Sequence, residues 1–85
     1  LQQGRKEAEI RLTHVRVRGP VQRADVPWRE GLTLAQAIVD AVYTSPRDPV
    51  AISITRGNRI IPVDLNELLR GIDIPVELGD IIDIR

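Results

Sequence analysis

Residues 31–42, Gly-Leu-Thr-Leu-Ala-Gln-Ala-Ile-Val-Asp-Ala-Val, carry apolar side chains at the helical period, and alternating runs flank them on both sides. Leu34, Ala37, Ile38, Ala41 and Val42 fall at i, i+3, i+4, i+7 and i+8, which places them on one helix face. Thr33 stands where an N-cap belongs, and Gln36 three residues on completes a capping-box pattern. A helix with one apolar face needs a second layer to bury it, and a lone hairpin would leave both of its own faces wet. A mixed sheet with this helix packed across it meets both requirements.

The flanking runs supply the strands. Residues 10–18 alternate and are rich in β-branched side chains, with Val15 and Val17 on one face and His14, Arg16 and Arg18 on the other. Gly19-Pro20 ends that run. Residues 21–28 form a second expected strand, and Pro27, which has no backbone donor, assigns it to an edge. After the helix, Tyr43 leads into a segment with two prolines. Residues 50–56 then alternate, with Val50, Ile52 and Ile54 pointing one way, and Gly57-Asn58 is a two-residue turn into a partner strand, 59–64. Asp64 caps a short helical turn, 65–70, with Glu67 at its third position and Gly71 as its stop. Leu78-Gly79-Asp80 is a tight turn, and the dense apolar run 81–84 suits a central strand buried on both faces. The order β-β-α-β-β-(short helix)-β, with the first and last strands side by side in the middle, predicts an α+β fold of the β-grasp, ubiquitin-like arrangement: about five strands, one main helix and a short helical turn.

Composition sets the bounds. Eighty-five residues fit one domain, 10–85, preceded by a polar, aperiodic and flexible linker, 1–9. The start at Leu1 and the lack of methionine read as a piece of a longer protein. Eleven Ile, nine Val and eight Leu against one Trp, one Tyr and no Phe lean toward a sheet-rich core. With no cysteine, neither disulfides nor a thiolate metal site staples the fold. No apolar stretch approaches the ~20 residues of a bilayer span. Net charge is zero, yet residues 1–29 hold seven bases and three acids while 30–85 hold five and nine. That asymmetry reads either as a basic face for an anionic partner, nucleic acid included, or as a basic first strand lying beside an acidic last one. The zero net charge weighs against nucleic acid.

Four segments in order resemble one family, the soluble-ligand-binding β-grasp (SLBB) domain. His14-Val-Arg-Val-Arg-Gly-Pro-Val21 is similar to its opening V-x-V-x-G-x-V strand, and Gly31-Leu-Thr-Leu-Ala-Gln-Ala-Ile38 to its G-x-T-L-x-x-A-I helix start. Ile54-Thr-Arg-Gly-Asn58 with Val63-Asp-Leu-Asn-Glu-Leu-Leu-Arg-Gly71 resembles its hairpin and following turn, and Val76-Glu-Leu-Gly-Asp-Ile-Ile-Asp-Ile84 its closing signature. The chain departs from the family at 22–25, where a Pro-Gly is common, and at 40–43, where the helix often stops in small residues. Such domains occur in bacterial polysaccharide export proteins, cobalamin carriers, a competence DNA receptor and a respiratory dehydrogenase subunit. The resemblance therefore implies a ligand-binding or assembly module in the periplasm or cell envelope, most often for capsule or exopolysaccharide export, with a polysaccharide or neighbouring subunits as partners. A DNA or cobalamin receptor module and a structural insert of a larger enzyme are the alternatives.

No catalytic constellation competes with binding. The one histidine, His14, has no serine or cysteine signature near it, and no G-x-S-x-G, H-E-x-x-H or phosphate-loop motif is present. The acidic pairs Asp64/Glu67 and Asp80/Asp83 read as caps and turns, and Asp73, Glu77 and Asp80 lack the ligand spacing of an EF-hand, so no metal or cofactor is expected. The expected ligand contacts are Trp28 and Tyr43, whose rings can stack on sugars, and Arg16, Arg18 and Arg29, whose forked donors suit acidic groups. The competing reading has Trp28 capping the core and the first-third arginines, Arg23 among them, pairing with Asp80 or Asp83.

Overall fold

The computed structural model describes residues 13–85, so the expected linker 1–9 and the first residues of the expected strand, 10–12, lie outside it. The elements are β1 (His14–Arg18), β2 (Asp25–Pro27), α1 (Leu34–Ala41), β3 (Ile52–Arg56), β4 (Arg59–Pro62), α2 (Leu65–Leu69) and β5 (Ile81–Ile84). They build an α+β fold with one five-stranded mixed sheet in the order β2-β1-β5-β3-β4. The first and last strands run parallel in the middle, with Val17 opposite Ile82, and every other pairing is antiparallel.

Alternation along the strands sorts the side chains. Val15, Val17, Val26, Ile52, Ile54, Ile82 and Ile84 form one buried cluster with Leu34, Ala37 and Ala41 of α1 and with Leu32 and Val76. Burying each Val, Leu or Ile side chain contributes roughly 1.5–3 kcal/mol, so this aliphatic layer is the main adhesive of a domain with almost no aromatics. Small Ala37 and Ala41 let α1 lie close to the sheet.

The ends of α1 are tied down from elsewhere in the chain. Leu34 N–H donates to Ile74 O (2.7 Å), Ala35 N–H to Asp73 Oδ1 (3.1 Å) and Gln36 N–H to the Thr33 hydroxyl (3.4 Å). Asp73 also accepts from its neighbour Ile74 N–H (2.8 Å). Burial would raise the Asp73 pKa, but the hydrogen bonds from Thr33, Ala35 and Ile74 prevail and lower it below the ordinary carboxylate value. At the other end the helix stops at Val42, held in the left-handed region at φ 60°.

Several expectations change here. Val42 does not continue the apolar face of α1; its left-handed backbone turns the chain, and the side chain is 38% exposed. The second strand is three residues instead of eight, because Gln22 and Arg23 N–H donate to the helix-end carbonyl of Ala41 and draw the chain off the sheet. Val50 is 84% exposed and does not share a side with Ile52 and Ile54; its N–H is spent on Arg85 O, outside the β3 ladder. The last strand is buried on one face only, with Ile81 and Asp83 half-buried on the other.

Both sheet edges are blunted in the same way. Trp28 N–H donates to Thr13 O and Val63 N–H to Ile52 O, each at 2.9 Å. Bonded and non-bonded pairs alternate in an antiparallel ladder, so Pro27 opposite His14 and Pro62 opposite Ser53 occupy positions whose backbone faces away from the sheet. The edge assignment made for Pro27 holds, and each outer edge lacks a donor that an added strand would use. Gly57 alone has positive φ in the β3–β4 turn, which marks it as type II′. Asp64 caps α2 by accepting from Asn66 and Glu67 N–H.

Candidate functional site

The face of the sheet opposite α1 is the surface on which polar and basic side chains converge. The registers place Asp25, Arg16, Ile81, Thr55 and Ile60 in one row across all five strands. Arg18, Asp83, Ser53 and Pro62 make a second row beside it. Four inter-strand spacings give the row a length of about 19 Å. A groove of about 300 Å³ lies on this face, walled by His14, Arg16, Arg18 and Asp25 and continuing over Ile81 to Thr55. That volume is at the small end of the range for ligand sites.

The side chains in the groove are differently constrained. Arg16 is steadied by its Nε, 3.3 Å from Asp25 Oδ1, and among the described residues its terminal nitrogens have no hydrogen-bond partner. His14 Nδ1 is hydrogen-bonded to the Thr13 hydroxyl at 2.6 Å. Arg18 is exposed and, among the described residues, has no ion-pair partner, although Asp83 is opposite it in the parallel register.

One end of the groove is locked by a charged cluster that sequence reasoning missed. Asp80 is 1% exposed. Its carboxylate accepts a two-pronged bond from Arg56, Nε to Oδ1 at 3.0 Å and Nη2 to Oδ2 at 2.8 Å, and a third from Glu77 N–H at 2.8 Å. Glu77 Oε2 lies 2.8 Å from Arg56 Nε. The hydrogen bond to Asp80 raises the Arg56 pKa, against the lowering effect of burial, and the two carboxylate charges add to the rise. The Asp80 carbonyl accepts from Arg16 N–H (2.9 Å), and Gly79 N–H donates to His14 O (3.3 Å). The turn before β5 is thus fastened to both β1 and β3. A partial signal existed: a carboxylate that ends up buried at the head of an aliphatic strand needs a partner. The β3–β5 register that puts Thr55 opposite Ile81 brings Arg56 to Asp80.

Of the five expected contacts, only Arg16 and Arg18 come together in the groove. Trp28 and Tyr43 lie at opposite ends of α1, both half-buried against the core. The Trp28 indole N–H is spent on Val76 O (2.9 Å) and the Tyr43 hydroxyl on Arg47 O (2.7 Å). Arg29 reaches Asp40 on the outer flank of α1 (3.4 Å). The expected pairing of the first-third arginines with Asp80 or Asp83 is also corrected. Arg16 takes Asp25, Arg29 takes Asp40, and Asp80 is already held by Arg56. Asp73 and Asp80, weighed above as cation ligands with Glu77, are engaged by the α1 backbone and by Arg56, and no metal-binding group of three is found among the described residues.

Chemically, the arrangement offers forked donors, an acceptor, a hydroxyl and an aliphatic floor on a rigid base, which suits reversible binding. No helix among the described residues is long and apolar enough to cross a membrane. Comparison with protein-family models, with curated proteins and with solved structures finds no match.

Proposed function

We propose that this chain is a β-grasp domain of the soluble-ligand-binding kind and serves as a non-enzymatic binding and assembly module of a bacterial cell-envelope protein, in polysaccharide export. The strand order with parallel first and last strands supports the fold reading, as does the single long helix between the two hairpin-like halves. The family-like segments fall on β1, the start of α1, the β3–β4 turn with α2, and the turn into β5. The envelope location rests on that resemblance.

The observation that carries the binding reading is the groove on the sheet face opposite α1, lined by Arg16, Arg18 and Ile81. Asp64 and Asp73 are committed to helix ends, Asp80 to Arg56 and, within the groove, Asp25 to Arg16. The edges are poor sites for strand addition because of Pro27 and Pro62, so the partner is expected on the face. Calorimetric titration with short oligosaccharides cut from bacterial exopolysaccharides, acidic and neutral, tests this. Saturable binding that weakens in an Arg16→Ala/Arg18→Ala double variant is the expected result. Failure of every oligosaccharide to bind the folded domain would defeat the glycan reading.

A further inference from the structure

The geometry points to a ligand class for the groove: a sugar that carries a carboxylate, held by Arg18 and Arg16 together, its ring over Ile81. This inference rests on the glycan-binding reading above and narrows it.

Arg18 is the first anchor. A carboxylate is at hand in Asp83 across the register, yet the two make no ion pair. Arg16 is the complement. Its Nε is anchored by Asp25, and its outer nitrogens are unpartnered among the described residues. The two arginines are i, i+2 on β1, about 6.7 Å apart along the strand on the same face. Long side chains at that spacing can converge on one anion between them. A planar carboxylate matches the arginine fork, giving charge-assisted bonds roughly twice as strong as neutral ones.

The rest of the row argues for a sugar over a bare anion. Ile81 is the direct neighbour of Arg16 in the parallel pair and is half-buried, an aliphatic surface suited to the C–H face of a pyranose ring. Thr55 follows on β3 and offers a hydroxyl that can both donate and accept. Asp25, on the other side of Arg16, keeps acceptor capacity for a sugar hydroxyl after its bond to Arg16. An inorganic anion would use the arginines and leave Ile81 and Thr55 idle. A nucleic-acid strand would want aromatic platforms, and Trp28 and Tyr43 are both engaged at the ends of α1. Charge within the groove also favours one anionic group over a dense polyanion, because Asp25 offsets one of the two arginines.

The test compares four probes on the same domain by amide NMR titration: an oligomer of a hexuronic acid, a neutral hexose oligomer of equal length, the free hexuronate, and inorganic phosphate. Arg18→Ala is the key variant. Arg18 is exposed at the end of β1, and an unchanged circular dichroism spectrum and melting curve verify the fold. Arg47→Ala, an exposed arginine outside the groove, is the control. The hexuronate oligomer should shift the amides of β1, Thr55 and Ile81 and bind at least about tenfold more tightly than the neutral oligomer. Arg18→Ala should lose about that factor and Arg47→Ala none. Equal affinity for acidic and neutral oligomers, wild-type affinity in Arg18→Ala, or phosphate binding as well as the free hexuronate would overturn the assignment. Equal binding of acidic and neutral oligomers at this face removes only the acidic class and leaves the glycan reading standing. Binding by neither oligomer removes both.

Discussion

Replacing Arg56 by alanine strips the one cation that, among the described residues, pairs with a carboxylate that has almost no access to water. Asp80 would keep one donor, the Glu77 N–H, and lose both arms of the Arg56 fork. Breaking a buried pair by removing one partner costs roughly 3–5 kcal/mol. Arg56 is itself about one-third exposed, so water already screens one side of the bond, and the expected loss is nearer ~2–3 kcal/mol. A domain of this size loses roughly 4–8 °C of melting temperature per kcal/mol, which places the fall at about 10–20 °C. Urea and thermal unfolding followed by circular dichroism read this directly. The companion variant makes the reasoning specific. Asp80→Asn removes the charge that Arg56 neutralises, so Arg56→Ala in an Asp80→Asn background should cost much less than in the wild type, with a coupling above ~1 kcal/mol. A loss under ~0.5 kcal/mol for Arg56→Ala, or strictly additive single variants, would refute the claim that this pair locks the turn before β5.

Three further outcomes follow from single positions. Gly19→Ala should destabilise by ~2 kcal/mol or more in the same unfolding assays, since a Cβ there would sit 2.7 Å from Ile84 O at a backbone φ of 140°. Val42→Gly should raise stability by ~0.5–1 kcal/mol, because it relieves a β-branched residue from the left-handed region at the end of α1, less the extra freedom of glycine in the unfolded chain. Asp73→Ala should cost ~1 kcal/mol at neutral pH by leaving Ala35 N–H unpaired. Because the folded-state pKa of Asp73 is lowered, its contribution is present above the unfolded carboxylate value and fades as pH falls through the folded one. The gap between wild type and variant should therefore close on acidification, and a constant gap down to strongly acidic pH would contradict this.

The fold was legible wherever local pattern and tertiary demand coincide. The period of 31–42, the turn at Gly57-Asn58 and the isoleucine run 81–84 each have one good solution, and an edge proline such as Pro27 can sit in few places. What escaped was decided by distant partners. Nothing near Val50 announces that Arg85 will take its N–H, and nothing in 21–24 announces the pull of the Ala41 carbonyl. The site shows the same division. Alternation alone put Arg16 and Arg18 on one face with His14. The aromatic residues were harder, since Trp28 and Tyr43 look equally able to face a ligand or the core until packing at the two ends of α1 is known. Arg56 and Asp80 stand twenty-four residues apart and meet only through the β3–β5 register.

A partner is expected to be met on the sheet face opposite α1. Methyl and amide NMR mapping of the hexuronate oligomer on the isotope-labelled domain addresses that directly, because the two ends of α1 and the face opposite it carry separate reporters. The expected pattern is movement of the Ile81 methyls and the amides of Arg16, Arg18 and Thr55, with the Trp28 indole and Tyr43 signals still. Shifts clustered at Trp28 and Tyr43 with a silent β1 would contradict it.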